Sequence, residues 1–267
     1  MHTLRLALLG LAACVAIILG WAYWHEAARG PASVRVAERQ ASPQEIAAMR
    51  RAIERTVAGT PDYSGFFEAL KAGFPAEYEA FLVSAAERAA NAGESSSADA
   101  LMIEAARGLR RSHGILAAKA DGPTLDRYFD ARYAMLHALA ANDQALCVAF
   151  LYGGGRADFT GFTRDHRTLL AALAAAGLDA ISDGKDKRGD RERPTEEDFH
   201  TLENALRAQG VSNAAITTLL DGKVLNPPLS DGEMCQAGET YLKTLAALPE
   251  APRRRIYGFA IELMARS

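Results

Sequence analysis

Apolar residues fall into two patterns along this chain. One is an unbroken run from Leu6 to Trp24, nineteen residues without a charge. The other begins near residue 42, where apolar residues recur three or four positions apart, the spacing that gathers them on one face of an α-helix. No stretch alternates with period two for long enough to make a strand.

As a helix rising about 1.5 Å per residue, the first run spans roughly 28 Å, close to the hydrocarbon thickness of a bilayer. Arg5 precedes it, and Trp21, Tyr23 and Trp24 sit at its far end, where amphipathic rings favour the membrane interface. These features predict a short tail (1–5), a transmembrane signal-anchor (6–24) and a linker (25–41). Two processed forms compete with it. Cleavage near Gly30-Pro31-Ala32 would use a site with an awkward proline. Lipidation at Cys14, after Leu11-Ala12-Ala13, would leave an apolar stretch where processed lipoproteins turn polar. A large domain behind a lone N-terminal apolar segment crosses largely regardless of charge. The expectation is therefore a single-pass protein whose soluble part is exported.

Helix start and stop signals then follow one another closely. Ser42-Pro43-Gln44-Glu45 and Ser230-Asp231-Gly232-Glu233 read as capping boxes, the first with proline at the first helical position. Thr60-Pro61 and Pro75 open further helices, and Gly59, Gly73 and Gly93 close them. Ser97 caps a helix from Ala98 to about Lys119, and Pro123, Asp143, Thr168, Thr195, Ser212 and Pro252 mark later starts. The residues from Ser182 to Arg193 carry nine charges and no apolar side chain, which reads as a linker ending at residue 194. The predicted fold is all-α: an irregular helical bundle or array of about eight to ten helices, preceded by the transmembrane helix. Residues 42–267 form its single soluble domain. Leu169, Leu173, Gly177 and Leu178 match Leu202, Leu206, Gly210 and Val211 in spacing, which reads as two helices stopped alike rather than as a repeat.

Charge narrows the function classes. Beyond residue 30 there remain 28 basic and 32 acidic side chains, which leaves no electrostatic footprint for nucleic acid. Of the 30 basic residues in the chain 24 are arginine, and alanine is abundant, a bias typical of GC-rich bacterial genomes. The exported compartment would then be a periplasm and the anchoring membrane the inner one.

Candidate chemistry is sparse. Gly153-Gly154-Gly155-Arg156 is not a phosphate-binding P-loop, because no Gly-Lys-Ser/Thr follows and no strand precedes it. It reads as a helix connection, or as a binding loop with Phe159 and Phe162 as apolar contacts and Arg156 and Arg164 as anion contacts. Arg164-Asp165-His166-Arg167 is a dense polar cluster, yet neighbouring residues on a helix point in different directions and offer no base a partner. His113, His137 and His200 are scattered and match no zinc-ligand spacing. Ser64 lacks the strand of a nucleophile elbow, and Asp183, Asp186 and Asp190 lack the alternation of a calcium loop. Arg253-Arg254-Arg255 reads as a solvated helix start, and the aromatics from Tyr63 to Phe81 as core. No catalytic, cofactor-binding or metal-ligating residue is assigned.

Two cysteines lie beyond the apolar run, Cys147 and Cys235. In an oxidising periplasm the pair is expected to form a disulfide, against the alternative of two buried thiols. The functional expectation is an interaction or scaffolding component of the bacterial envelope with a protein partner there. The alternatives are a hydrolase-like helical enzyme using dispersed Asp, Glu or His residues, and an apolar small-ligand or lipid binder. An enzyme needs titratable groups converging in a pocket, a scaffold an exposed apolar patch, and a binder an apolar cavity.

Overall fold

The computed structural model describes residues 40–153, 158–187, 191–223 and 226–266. The predicted tail at 1–5, the signal-anchor at 6–24 and nearly all of the linker at 25–41 lie outside the described residues. Within those residues no helix is long and apolar enough to cross a membrane. Residues 42–267 form one compact unit.

The described residues contain twelve α-helices and no strand, where about eight to ten helices were expected. Five prolines and serines set the early boundaries. Ser42 caps α1 (Pro43–Ala58) in a complete capping box with Glu45. Proline stands in the first turn of α2 (Pro61–Gly73) and α3 (Pro75–Ala92), where its missing N–H leaves no bond unmade. Gly93 ends α3 at φ 71°, a left-handed conformation that glycine adopts without strain. Ser97 caps α4 (Ala98–His113). Tyr63, Phe66, Phe67, Phe74, Tyr78 and Phe81 are all buried between these helices, as their spacing predicted.

Here the chain departs from expectation. The fourth helix stops at His113, and residues Gly114–Lys119 tighten into a 3-10 helix. The cause is packing. Helix α8 (Arg167–Lys185) lies directly on this segment, and a Cβ at Gly184 would overlap the carbonyl of Leu116. The same contact corrects the predicted linker at 182–194. Its first four residues are helical, because Gly184 permits the close approach and Asp183 accepts a 2.6 Å hydrogen bond from the Asp121 N–H. Further along, Arg191 is half-buried and donates to the carbonyls of Ala120 and Arg254. Residues 182–185 and Arg191 are docked rather than free.

Asp121 caps α5 (Gly122–Asn142), and Asp143 caps the short α6 (Gln144–Leu151). A one-and-a-half-turn α7 (Thr160–Asp165) forms within the stretch read as loop. Thr195 and Asp198 make a capping box at α9 (Glu196–Ala208), Ser212 caps α10 (Asn213–Asp221), and Ser230 and Glu233 make a third box at α11 (Asp231–Ala246). Helix α12 (Glu250–Arg266) returns to the 3-10 segment, and Tyr257 stacks on Phe129 of α5 with centroids 3.8 Å apart. Gly210 adopts φ 82° and ends α9, with the Val211 N–H reaching back to the Leu206 carbonyl. Gly177, its counterpart in the spacing match, instead lies inside α8 and stops nothing.

Cys147 of α6 and Cys235 of α11 are joined in a disulfide, with Cα atoms 5.8 Å apart. Both are buried. Gly238 lets the two helices meet, since a Cβ there would collide with the Leu151 side chain.

Candidate functional site

Helices α4, α5, α8 and α12, with the 3-10 segment, leave a cavity of about 180 Å³ between them. Small residues create the space: Gly114, Ala117, Ala174, Gly177 and Ala265 all face it. At Gly177 an added Cβ would sit 3.5 Å from the Tyr128 ring. Its glycine therefore widens the cavity instead of capping a helix. Larger apolar side chains close the rest, among them Phe66, Leu109, Met135, Phe150, Ile181 and Ile261.

The polar groups in this apolar wall are few and of one sign. Arg107 and Arg110 come from α4 and Arg132 from α5, and among the described residues no acidic one lines the space. Arg107 and Arg110 are three residues apart and so share a face. They lie toward the C-terminal end of α4, where the helix dipole favours cations. Arg132 is buried, with 7 % of its surface exposed, and its guanidinium lies 4.8 Å from the centre of the Phe150 ring. That cation–π contact offsets part of the cost of its burial. Arg110 reaches the Gly153 carbonyl at 3.5 Å, the outer limit of a hydrogen bond. Among the described residues none of the three forms an ion pair with a carboxylate. Burial and the neighbouring cations Arg132, Arg107 and Arg111 push the Arg110 guanidinium below its ordinary pKa, while Tyr128 partly opposes them.

The buried carboxylates are committed elsewhere. Asp99, 2 % exposed, accepts two hydrogen bonds from Arg167 at 2.9 and 3.0 Å and one from the Tyr63 hydroxyl at 2.7 Å. The Arg167 guanidinium holds the Asp99 carboxyl below the usual carboxylate range, against the opposing effect of burial. The Tyr63 phenol is pushed well above its ordinary value, first by burial and then by Asp99. This group ties α2, α4 and α8 together at the N-terminal ends of two pocket walls. On the other side Asp198 takes a bidentate contact from Arg255 at 2.7 and 2.8 Å, and Arg253 pairs with Asp126 of α5 at 3.2 Å. The triple arginine at 253–255 is thus structural and not a free solvated start, since Arg254 also pairs with Glu250.

The sequence candidates separate accordingly. Of the glycine-loop group, Phe159 lines the cavity and Phe162 packs on the core, while Arg164 is exposed and Arg156 lies outside the described residues. Arg167 of the polar cluster is spoken for by Asp99, and His166 stacks on Phe162 at 4.1 Å. His113 and His137 lie 2.5 and 2.6 Å from Glu77 and Glu239, and His200 3.6 Å from Glu196. None of these histidines lines the cavity. Arg107, Arg110 and Arg132 are not among the residues singled out from the sequence. An arginine on an apolar face was the available signal, but it looks the same whether a carboxylate or an open space lies opposite. Comparison with protein-family models, with curated proteins and with solved structures finds no match for this chain.

Proposed function

We propose that this protein binds a small apolar molecule in the cavity between α4, α5, α8 and α12. The carrying observation is the cavity itself, about 180 Å³ and walled largely by apolar side chains. For comparison, an engineered cavity of about 150 Å³ stays dry and takes up benzene. The reading favours the binder over the scaffold. Few large hydrophobic side chains are exposed among the described residues: Val83, Ile115, Tyr152 and Leu263. It also disfavours an enzyme with dispersed acids, because the buried carboxylates Asp99 and Asp198 are locked to arginines away from the cavity.

Placement in the bacterial envelope belongs to the same proposal. The Leu6–Trp24 run supports a tether in the inner membrane, and the Cys147–Cys235 bridge supports an oxidising compartment such as the periplasm. A protein partner there would deliver or collect the ligand. The test is titration of the full-length protein, in nanodiscs of zwitterionic lipid, with naphthalene as a neutral probe followed by methyl NMR. Saturable shifts at Leu109, Met135, Ile181 and Ile261 are expected. Shifts confined to surface methyls, or none, would contradict the reading.

A further inference from the structure

Resting on the binding role of this cavity, we infer that its ligand is an organic anion: a single carboxylate head on an apolar body of about one ring or six to eight carbons. The head would meet Arg110 and Arg132, and the body would lie against α8 and α12.

Arg132 is the first pointer to an anion. Asp99, Asp198 and Arg132 are the charged residues buried among the described ones, and both aspartates have a bidentate arginine partner. Arg132 has the face of Phe150 but no carboxylate and no hydrogen-bond acceptor among the described residues. The stem of Arg132 is buried while its guanidinium nitrogens stay open to the cavity, so a carboxylate placed beside them can accept two parallel N–H···O bonds. Arg110 and Arg107 enter the same space, again without a carboxylate opposite. Residues 31–267 carry more acidic than basic side chains, so a cavity lined, among the described residues, by three arginines and no acid is not the surface average carried inward.

Two further observations shape the ligand. Tyr128 lines the cavity and its hydroxyl has no hydrogen-bond partner among the described residues, which leaves a donor to orient a second carboxylate oxygen. The remaining wall is apolar, and the cost of stripping water from an ion rises with the square of its charge. A singly charged head is therefore favoured over a phosphate dianion. The size limit follows from the volume: about 180 Å³ leaves room for a short chain or a ring, not for a two-chain lipid.

The experiment compares octanoate with 1-octanol on the full-length protein in zwitterionic nanodiscs, by competition with bound naphthalene. Octanoate is expected to bind at least tenfold more tightly than the alcohol, with an advantage that shrinks as salt is raised. In Arg132→Met and in Arg110→Met the ratio should fall toward one while 1-octanol binding persists. Arg132→Lys, which keeps the charge but loses the planar fork, should recover part of it. Equal affinity for acid and alcohol in the wild type overturns the anion assignment and leaves the apolar cavity standing. So does an acid preference that survives both methionine variants. Failure of naphthalene and octanol alike to bind refutes the cavity reading instead.

Discussion

The guanidinium of Arg132 lies 4.8 Å from the centre of the Phe150 ring, on the wall of a cavity that no carboxylate lines among the described residues. Phe150 belongs to the same short helix as Cys147, three residues earlier, so the bridge to Cys235 also fixes the ring against which Arg132 rests. Stability and the geometry of the cavity are coupled through α6.

Removing the bridge tests that coupling. The cysteines are 88 positions apart, and in the chain-entropy account closing such a loop stabilises by at most about 4–5 kcal/mol. The double variant Cys147→Ala/Cys235→Ala should unfold at lower urea concentration, and a reductant should shift the wild-type midpoint but not the variant's. Identical midpoints with and without reductant would show that the bridge contributes nothing.

The paired aspartates set an acid limit on stability. Asp198 is held well below the ordinary carboxylate range by Arg255, and Asp99 is lowered by Arg167. A depressed folded-state pKa stabilises above the unfolded value, about 3.9, and that stability is lost as pH falls through the folded value. Asp198→Asn should cost about 2–4 kcal/mol at pH 7, because it takes the buried charge partner from Arg255 and leaves only the exposed Glu192, 3.6 Å away. The gap between wild type and variant should narrow as the pH falls below about 4 in urea unfolding. A gap that stays constant down to pH 2 would mean that the pair carries no net charge stabilisation.

Two glycines should respond in opposite directions. Gly184→Ala forces a Cβ into the Leu116 carbonyl, a backbone atom that cannot swing away, and should destabilise by about 2–4 kcal/mol. Gly65 sits in α2 with nothing within 4 Å of an added Cβ. Gly65→Ala should stabilise by about 0.5–1 kcal/mol through helix propensity and a less flexible unfolded chain. Thermal unfolding of both variants reads this directly.

Much of the helical architecture could be read from the chain because its boundaries are written in local chemistry. Ser42, Ser97, Ser212 and Ser230 each bond a backbone N–H within three residues, and such contacts need no tertiary structure to form. The misread segments are those governed by distant contacts. Gly114–Lys119 becomes a 3-10 helix because α8 presses on it, and residues 182–185 are helical because Gly184 and Asp183 meet the 3-10 segment and Asp121. Gly177 and Gly210 look alike in sequence and differ in the structure, one opening a cavity and the other reversing the chain. The cavity itself was not legible. Its arginines come from two helices, and whether each faces a carboxylate is decided only when the helices pack.

A ligand site at this cavity is tested most directly by the binding stoichiometry of naphthalene to the full-length protein in zwitterionic nanodiscs, by equilibrium dialysis, before and after the cavity is filled. The fillers are Ala174→Leu and Gly177→Val, on two positions of α8 that face the space. One saturable site per chain is expected in the wild type and its loss in both variants, with their helical content retained by circular dichroism. Wild-type binding that is absent, or that persists unchanged in the folded variants, would contradict a ligand site at this cavity.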